Sequence, residues 1–201
     1  MSANERRRKE IEEMKQDIIE AAVQLFLSDG YENVSMRKIA KKIEYSPTAI
    51  YNYFASKEEI LNRLLMNGYA VFLKCLKDGV AKSEEQDAAS RLKASLYAYI
   101  QFGLSHPDYY RLIFIENLQL LQKIIIEDDD RTKGFELLTE LVAEAMNAGA
   151  LKQNDVLLVS QSLWASLHGV AALLITFPDF IWLDHDVIIK FHVEVMIKGV
   201  S

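Results

Sequence analysis

Cysteine, proline and glycine are scarce in this chain, and each scarcity excludes something. The single cysteine, Cys75, can form neither an intrachain disulfide nor a multi-cysteine metal site, which fits a reducing compartment, so a cytoplasmic protein is expected. Three prolines and eight glycines in 201 residues offer too little turn chemistry for the many short loops of a β-sandwich or barrel. An all-α fold is expected instead. No charge of one sign dominates: 23 basic and 29 acidic side chains leave a net charge of −6, so the chain is no polycation. A content of 50% hydrophobic and 26% charged residues excludes a disordered or collagenous chain. The length allows one large domain or two small ones.

Catalytic signatures are also missing. The sequence contains no HExxH, P-loop or nucleophile elbow, and His185 and His192 stand about 10.5 Å apart along a helix, too far to share one metal. No cofactor and no catalytic activity are expected. The basic run Arg6, Arg7, Arg8 and Lys9 leads into Glu10, Glu12, Glu13, Lys15 and Asp17 rather than an apolar stretch, so no secretory signal is expected. From Val156 to Pro178 no Asp, Glu, Lys or Arg occurs, and that length could cross about 30 Å of hydrocarbon. Ser160, Gln161, Ser162, Ser166 and His168 interrupt it, however, and Asp155 and Asp179 flank it where Lys or Arg would anchor a span. A helix covered by its own protein or by a partner subunit is the better account.

What is present is helical periodicity. Ile11, Met14, Ile18, Ala22, Leu25 and Phe26 recur at steps of three and four, predicting a helix over about 8–29 that stops at Gly30. Ser35 can cap a two-turn helix with Met36, Ile39, Ala40 and Ile43 inward, leaving Arg37, Lys38, Lys41 and Lys42 outward. Glu44 and Tyr45 make a turn, and Ser46 and Pro47 read as N-cap and first position of a third helix ending near Phe54. Ser56 and Glu59 have capping-box spacing for a fourth, running to about Lys77, whose apolar stripe of Leu61, Leu64, Val71, Phe72 and Cys75 reads as packing. Further helices are expected near 87–105, from Asp108, over about 130–148, 155–177 and 186–198, nine in all, and no strand. The acidic patch Glu127–Asp130 reads as a solvated loop.

Two short helices joined by a tight turn have the geometry of a helix-turn-helix, whose second helix enters the major groove of duplex DNA. Between Asn33 and Lys57, five basic residues face only Glu44, a basic island in an acidic protein. Pro47, Thr48 and Ala49 are small enough for close approach, and Thr48 can contact base edges. Ile50 and Phe54 point inward while Tyr51, Asn52 and Tyr53 reach out beside Lys57, offering hydroxyl, amide and ammonium groups to phosphate. The resulting DNA-facing set is Arg37, Ser46, Pro47, Thr48, Ala49, Tyr51, Asn52, Tyr53 and Lys57. The Arg6–Lys9 run reads either as a frayed tail or as an arm reaching the DNA.

Gly30-Tyr31, Ser35 to Ala40, Ser46 to Phe54 and Ser56 to Leu61 together resemble the DNA-binding domain of tetracycline-repressor-like (TetR) regulators, over about residues 11–61. One departure is Glu44, where the turn in that family often carries glycine. His106 to Phe114 and the run Trp164-Ala165-Ser166-Leu167-His168-Gly169 resemble the C-terminal domain of a subgroup marked by Trp-x-x-x-His-Gly, with Gly169 expected to permit close helix approach. The resemblance implies a DNA-binding domain at 1–55 and a ligand-binding and dimerisation domain at 56–201. It implies a homodimer that binds double-stranded operator DNA and a small-molecule effector, most simply as a repressor, with no membrane involved. Tyr99, Phe102, Tyr109, Phe114, Trp164 and His168 are the candidate pocket residues, and they read equally as core; with no Lys or Arg among them, a mostly apolar effector is expected. An all-α small-molecule-binding enzyme and a membrane-associated adapter are the alternatives.

Overall fold

A computed structural model describes residues 2–82, 87–116 and 130–201. Among them are nine α-helices and no strand: α1 (Ala3–Asp29), α2 (Met36–Lys42), α3 (Pro47–Tyr51), α4 (Lys57–Ala81), α5 (Ala88–Ser105), α6 (Pro107–Tyr110), α7 (Asp130–Asn147), α8 (Val156–Thr176) and α9 (His185–Val200). A 3-10 turn covers Tyr31–Asn33 and a π-type turn covers Arg111–Ile115. The acidic patch expected as a loop lies outside the described residues at 127–129, and Asp130 opens α7.

Side chains set the helix starts. Asp87, Asp155 and Asp184 each accept a hydrogen bond from a backbone N–H of the helix they precede, satisfying donors that the helix itself leaves open. Ser2 and Glu5 form a reciprocal capping box that starts α1 at Ala3. The run Arg6–Lys9 is therefore not a frayed tail but part of the first turns of α1, with ion pairs from Arg6 to Glu10 and Lys9 to Glu13. At α4, Ser56 accepts from the Glu59 N–H as expected, but the Glu59 carboxylate reaches the N–H of Ala55, one residue before the expected partner. The helix expected from Asp108 is instead the single turn α6 followed by the π-type turn.

Two compact units emerge, with the division inside α4 after Gly68. Residues up to Gly68, together with Arg111–Glu116, make the first; Tyr69–Tyr110 and the described residues from Asp130 make the second. In the first, Ile18, Ala22, Ile39, Ala40, Ile60, Leu64 and Leu65 have no solvent exposure. In the second, α5 is the central helix, flanked by α7, α8 and α9, and Leu92, Leu96, Ile100, Val142, Leu167 and Ile189 fill the space between them. Two glycines allow the close crossings. A Cβ on Gly79 of α4 would stand 2.8 Å from the Cβ of Ala98 on α5, and one on Gly134 would stand 2.5 Å from the Phe72 ring.

Helix α8 is, among the described residues, the one helix long and apolar enough to cross a membrane by length and composition. Its Val159, Leu163, Leu167, Ala171 and Leu174 are buried against the second unit, whereas Leu157, Leu158, Leu173 and, just past its end, Phe177 are exposed. Among the described residues, nothing beyond Gly169's own stretch of helix comes within 4 Å of where its Cβ would lie. The close helix approach expected at Gly169 is thus not made by the described residues, among which that position faces outward.

Candidate nucleic-acid interface and ligand cavity

Ser35 and Ser46 each turn their hydroxyl onto the open N–H of the residue three positions on, at 3.3 and 3.2 Å, and so begin α2 and α3. Between them the chain closes by a 2.9 Å hydrogen bond from the Tyr45 N–H to the Ala40 carbonyl. That closure places Glu44 at φ 60°, the left-handed region where glycine carries no penalty. The residue that departs from the family pattern is thus the one whose backbone is held in a strained state.

Helix α3 ends at Tyr51, and the turn continues as the Tyr53 and Phe54 N–H groups donate to the Ile50 carbonyl. Ile50 and Phe54 are buried and fix the orientation of the helix. Ser46, Pro47, Thr48, Tyr51 and Asn52 are exposed, while Ala49 and Tyr53 are half-buried. Tyr51 leaves 54% of its surface to solvent, a large exposed aromatic group on this short helix. Arg37, Lys41 and Lys42 are also exposed and have no ion pair among the described residues, so their charge is available to a polyanion.

Two lysines of the basic island are held internally. Lys38 pairs with Asp29, whose carboxyl it holds below its ordinary range. Lys57 donates to the Tyr31 carbonyl at 2.8 Å and lies 3.9 Å from the Tyr31 ring centroid, while the Tyr31 hydroxyl donates to Glu58. This clamp fastens the start of α4 to the turn after α1. Sequence periodicity gave no signal for it, because the partners are 26 residues apart.

In the second unit, a hydrogen-bonded chain crosses the core. The Trp164 Nε1–H donates to the Tyr99 hydroxyl at 3.1 Å, the Tyr99 and Tyr110 hydroxyls are 3.2 Å apart, and the Tyr110 hydroxyl is 2.8 Å from His168 Nδ1. Phe102 packs beside this chain, 6.4 Å from the Tyr110 ring and 5.1 Å from Phe72. The structure therefore brings Tyr99, Phe102, Trp164 and His168 together and adds Tyr110, which is not among the pocket residues expected from the sequence. Tyr109 is half-buried next to His106, and Phe114 is half-buried in the Arg111–Ile115 turn, in the first unit. Burial pushes the Tyr99 hydroxyl up to about 12 and lowers His168 from its ordinary value. Both groups are therefore neutral near pH 7. Beside the aromatic cluster, a cavity of about 600 Å³ opens between α4, α5 and α9, with Phe102 in its wall.

Comparison with known proteins gives consistent results. Residues 18–64 match the family described as bacterial regulatory proteins, tetR family, and residues 92–195 match the tetracyclin repressor-like C-terminal domain. The fatty acid metabolism regulator protein of Bacillus subtilis is 28% identical over 158 residues, covering 75% of this chain and 77% of that protein. A nucleoid occlusion factor, SlmA of Actinobacillus pleuropneumoniae, is 29% identical over 113 residues, 53% of this chain and 52% of its own length. Among solved structures, the fatty acid degradation regulator FadR from Bacillus halodurans superposes with a TM-score of 0.73 at 25% identity, covering 91% of this chain and 94% of that one. A tetR-family regulatory protein from Rhodococcus RHA1 shares the fold, with a TM-score of 0.75 at 20% identity over 93% of this chain and 96% of that one.

Proposed function

The chain belongs to the tetR family of bacterial regulatory proteins, DNA-binding regulators of transcription, and from that membership we propose a cytoplasmic homodimeric repressor that a small, mostly apolar effector releases from its operator. The observation that carries the proposal is α3. Its Thr48, Tyr51 and Asn52 are exposed on a short helix whose buried Ile50 and Phe54 hold it rigidly. In this reading Thr48, with Pro47 and Ala49 allowing close approach, reads base edges in the major groove. Arg37, Tyr51, Asn52 and Tyr53 bind phosphate, and Ser46 serves by capping the helix. Lys57 contributes through the Tyr31 clamp, which fixes where α4 begins.

A second copy of the chain is the natural cover for α8 and α9. Leu158, Leu173, Phe177, Val187, Phe191 and Val195 are all at least 48% exposed, an apolar area that a two-fold, self-complementary contact would remove from water. Such a dimer presents two reading helices about 34–36 Å apart, matching successive major grooves and a near-palindromic operator.

The effector belongs to the second unit, in and around the set Tyr99, Phe102, Tyr109, Trp164 and His168, with Phe114 at the chain segment that leaves it. Two similar proteins carry fatty acid regulation in their names, which makes acyl-chain compounds the first effectors to test. Helix α4 runs unbroken from Lys57 to Ala81 and supplies residues to both units, so an effector that binds one α4 arrangement better shifts the other end by its differential affinity, about 1–3 kcal/mol in coupled sites. The test is to select a duplex from random DNA with the protein, then titrate acyl-chain compounds into the complex. Release at micromolar compound supports the proposal; bound compound with unchanged DNA affinity contradicts it.

A further inference from the structure

We propose that the cavity between α4, α5 and α9 is a binding site for an anionic amphiphile, a carboxylate or phosphate head on an apolar chain. This rests on the reading above that the second unit takes the effector, and it adds a charge requirement that the aromatic residues alone did not suggest. The cavity holds about 600 Å³, within the size range of small-molecule sites. Its inner wall is apolar: Phe102 and Ala98 from α5, Val193 from α9, and the half-buried thiol of Cys75 from α4.

Among the described residues, the charged groups that line the cavity are net positive. Three lysines line it, Lys82, Lys93 and Lys190, against two carboxylates, Asp78 and Glu194. Both carboxylates are already paired, Asp78 with Lys74 and Glu194 with Lys93 at 2.8 Å. Lys82 and Lys190 are exposed and have no ion pair or hydrogen-bonded side-chain partner among the described residues. Asp186 nearby is engaged by the Tyr97 hydroxyl and the Gln101 amide. Two ammonium groups without an ion pair among the described residues, beside an apolar wall, select a ligand with an anion at one end and hydrocarbon at the other.

The position of the cavity gives the ligand leverage. Gly79, where an added Cβ would stand 2.8 Å from the Ala98 Cβ of α5, is part of its lining, so an acyl chain in the cavity lies against this close α4–α5 contact.

Cys75 provides the readout, since it is the only cysteine in the chain and it lines the cavity. The rate of its alkylation by N-ethylmaleimide is measured by intact mass in the presence of decanoate, decyl phosphate or 1-decanol, each below its micelle-forming concentration. Decanoate or decyl phosphate is expected to slow alkylation at least tenfold and 1-decanol far less; whichever anion protects better identifies the head group. The Lys82→Gln, Lys190→Gln double variant should alkylate at the parent rate without ligand and lose the protection. Protection by 1-decanol equal to that by the anions, full protection retained in the double variant, or no protection by any probe would each overturn the assignment. Selected operator DNA, added in parallel, separates the two readings. Release of DNA without protection of Cys75 removes this cavity and leaves the effector proposal standing, whereas protection without release leaves the cavity and removes the effector proposal.

Discussion

The Tyr110 hydroxyl lies 2.8 Å from Nδ1 of His168, with the two rings stacked at 18°. Tyr110 is fully buried, so its hydroxyl proton needs an acceptor, and a neutral imidazole with its proton on Nε2 provides one. With the Trp164 indole donating to Tyr99 and the two tyrosine hydroxyls 3.2 Å apart, the four side chains form one connected chain from Trp164 to His168. Trp164 and His168 of the Trp-x-x-x-His-Gly run are the two ends of this chain, which gives the motif a physical role in docking α8 onto α5 and α6.

Replacing His168 with leucine removes that acceptor from a buried hydroxyl, at an expected cost of about 1–3 kcal/mol. Asparagine can place its Oδ1 where Nδ1 was, so His168→Asn should lose clearly less. Urea denaturation of both variants measures the difference, and equal losses would contradict the assigned direction of donation.

The same histidine predicts a pH dependence. Burial lowers its folded pKa below the ordinary 6.5, so the unfolded chain takes up a proton first as the pH falls. Its contribution to stability is complete above pH 6.5 and is lost progressively below it, as pH falls toward the lowered folded value. Melting temperatures between pH 7.5 and 5.5 should fall more steeply for the parent than for His168→Asn. Parallel curves would show that His168 is not the group responsible.

Glu44 holds φ 60° in the turn between α2 and α3. Glycine adopts that conformation freely, so Glu44→Gly should stabilise the first unit by about 1 kcal/mol, and removing a carboxylate next to the reading helix should also tighten DNA binding. Calorimetry and a DNA titration check the two effects separately. A destabilised Glu44→Gly would mean that the side chain supports the turn in a way its geometry does not reveal.

The sequence disclosed these features unevenly, for identifiable reasons. Ser35, Ser46, Pro47, Asp87 and Asp155 act within three residues of where they stand, so the starts of α2, α3, α5 and α8 could be read directly, as could the inward Ile50 and Phe54. The orientation of the chain after Pro107 could not, because α6 is a single turn that carries both Tyr109 and Tyr110 and is too short to show a helical period; Tyr110 rather than Tyr109 became the buried partner of His168. The Lys57–Tyr31 clamp and the cavity beside Gly79 join residues distant in sequence, and no local period encodes them. Gly169 was legible as a small residue in an apolar helix, but not which neighbour it admits.

Gly169 bears on the assembly. Its position is open among the described residues, and helix propensity alone would make a larger residue there stabilising by up to about 1 kcal/mol. If a second copy covers α8, Gly169→Leu should instead leave the subunit folded and raise the dimer dissociation constant at least tenfold. Sedimentation velocity from nanomolar to micromolar protein reads this directly. An undisturbed dimer would move the interface away from this face of α8.

The most direct test of the central claim, that α3 reads operator DNA, is a fluorescence-anisotropy titration of a selected duplex and a scrambled one across a range of salt. The parent should prefer the selected duplex, and its affinity should fall with salt as lysine and arginine contacts to phosphate predict. Thr48→Ala should change the preference by about 1–3 kcal/mol per altered base contact, while Arg37→Ala should weaken both duplexes alike and reduce the salt slope by about one. If the triple variant Thr48→Ala, Tyr51→Ala, Asn52→Ala bound the selected duplex with the affinity and preference of the parent, α3 would not be the reading helix.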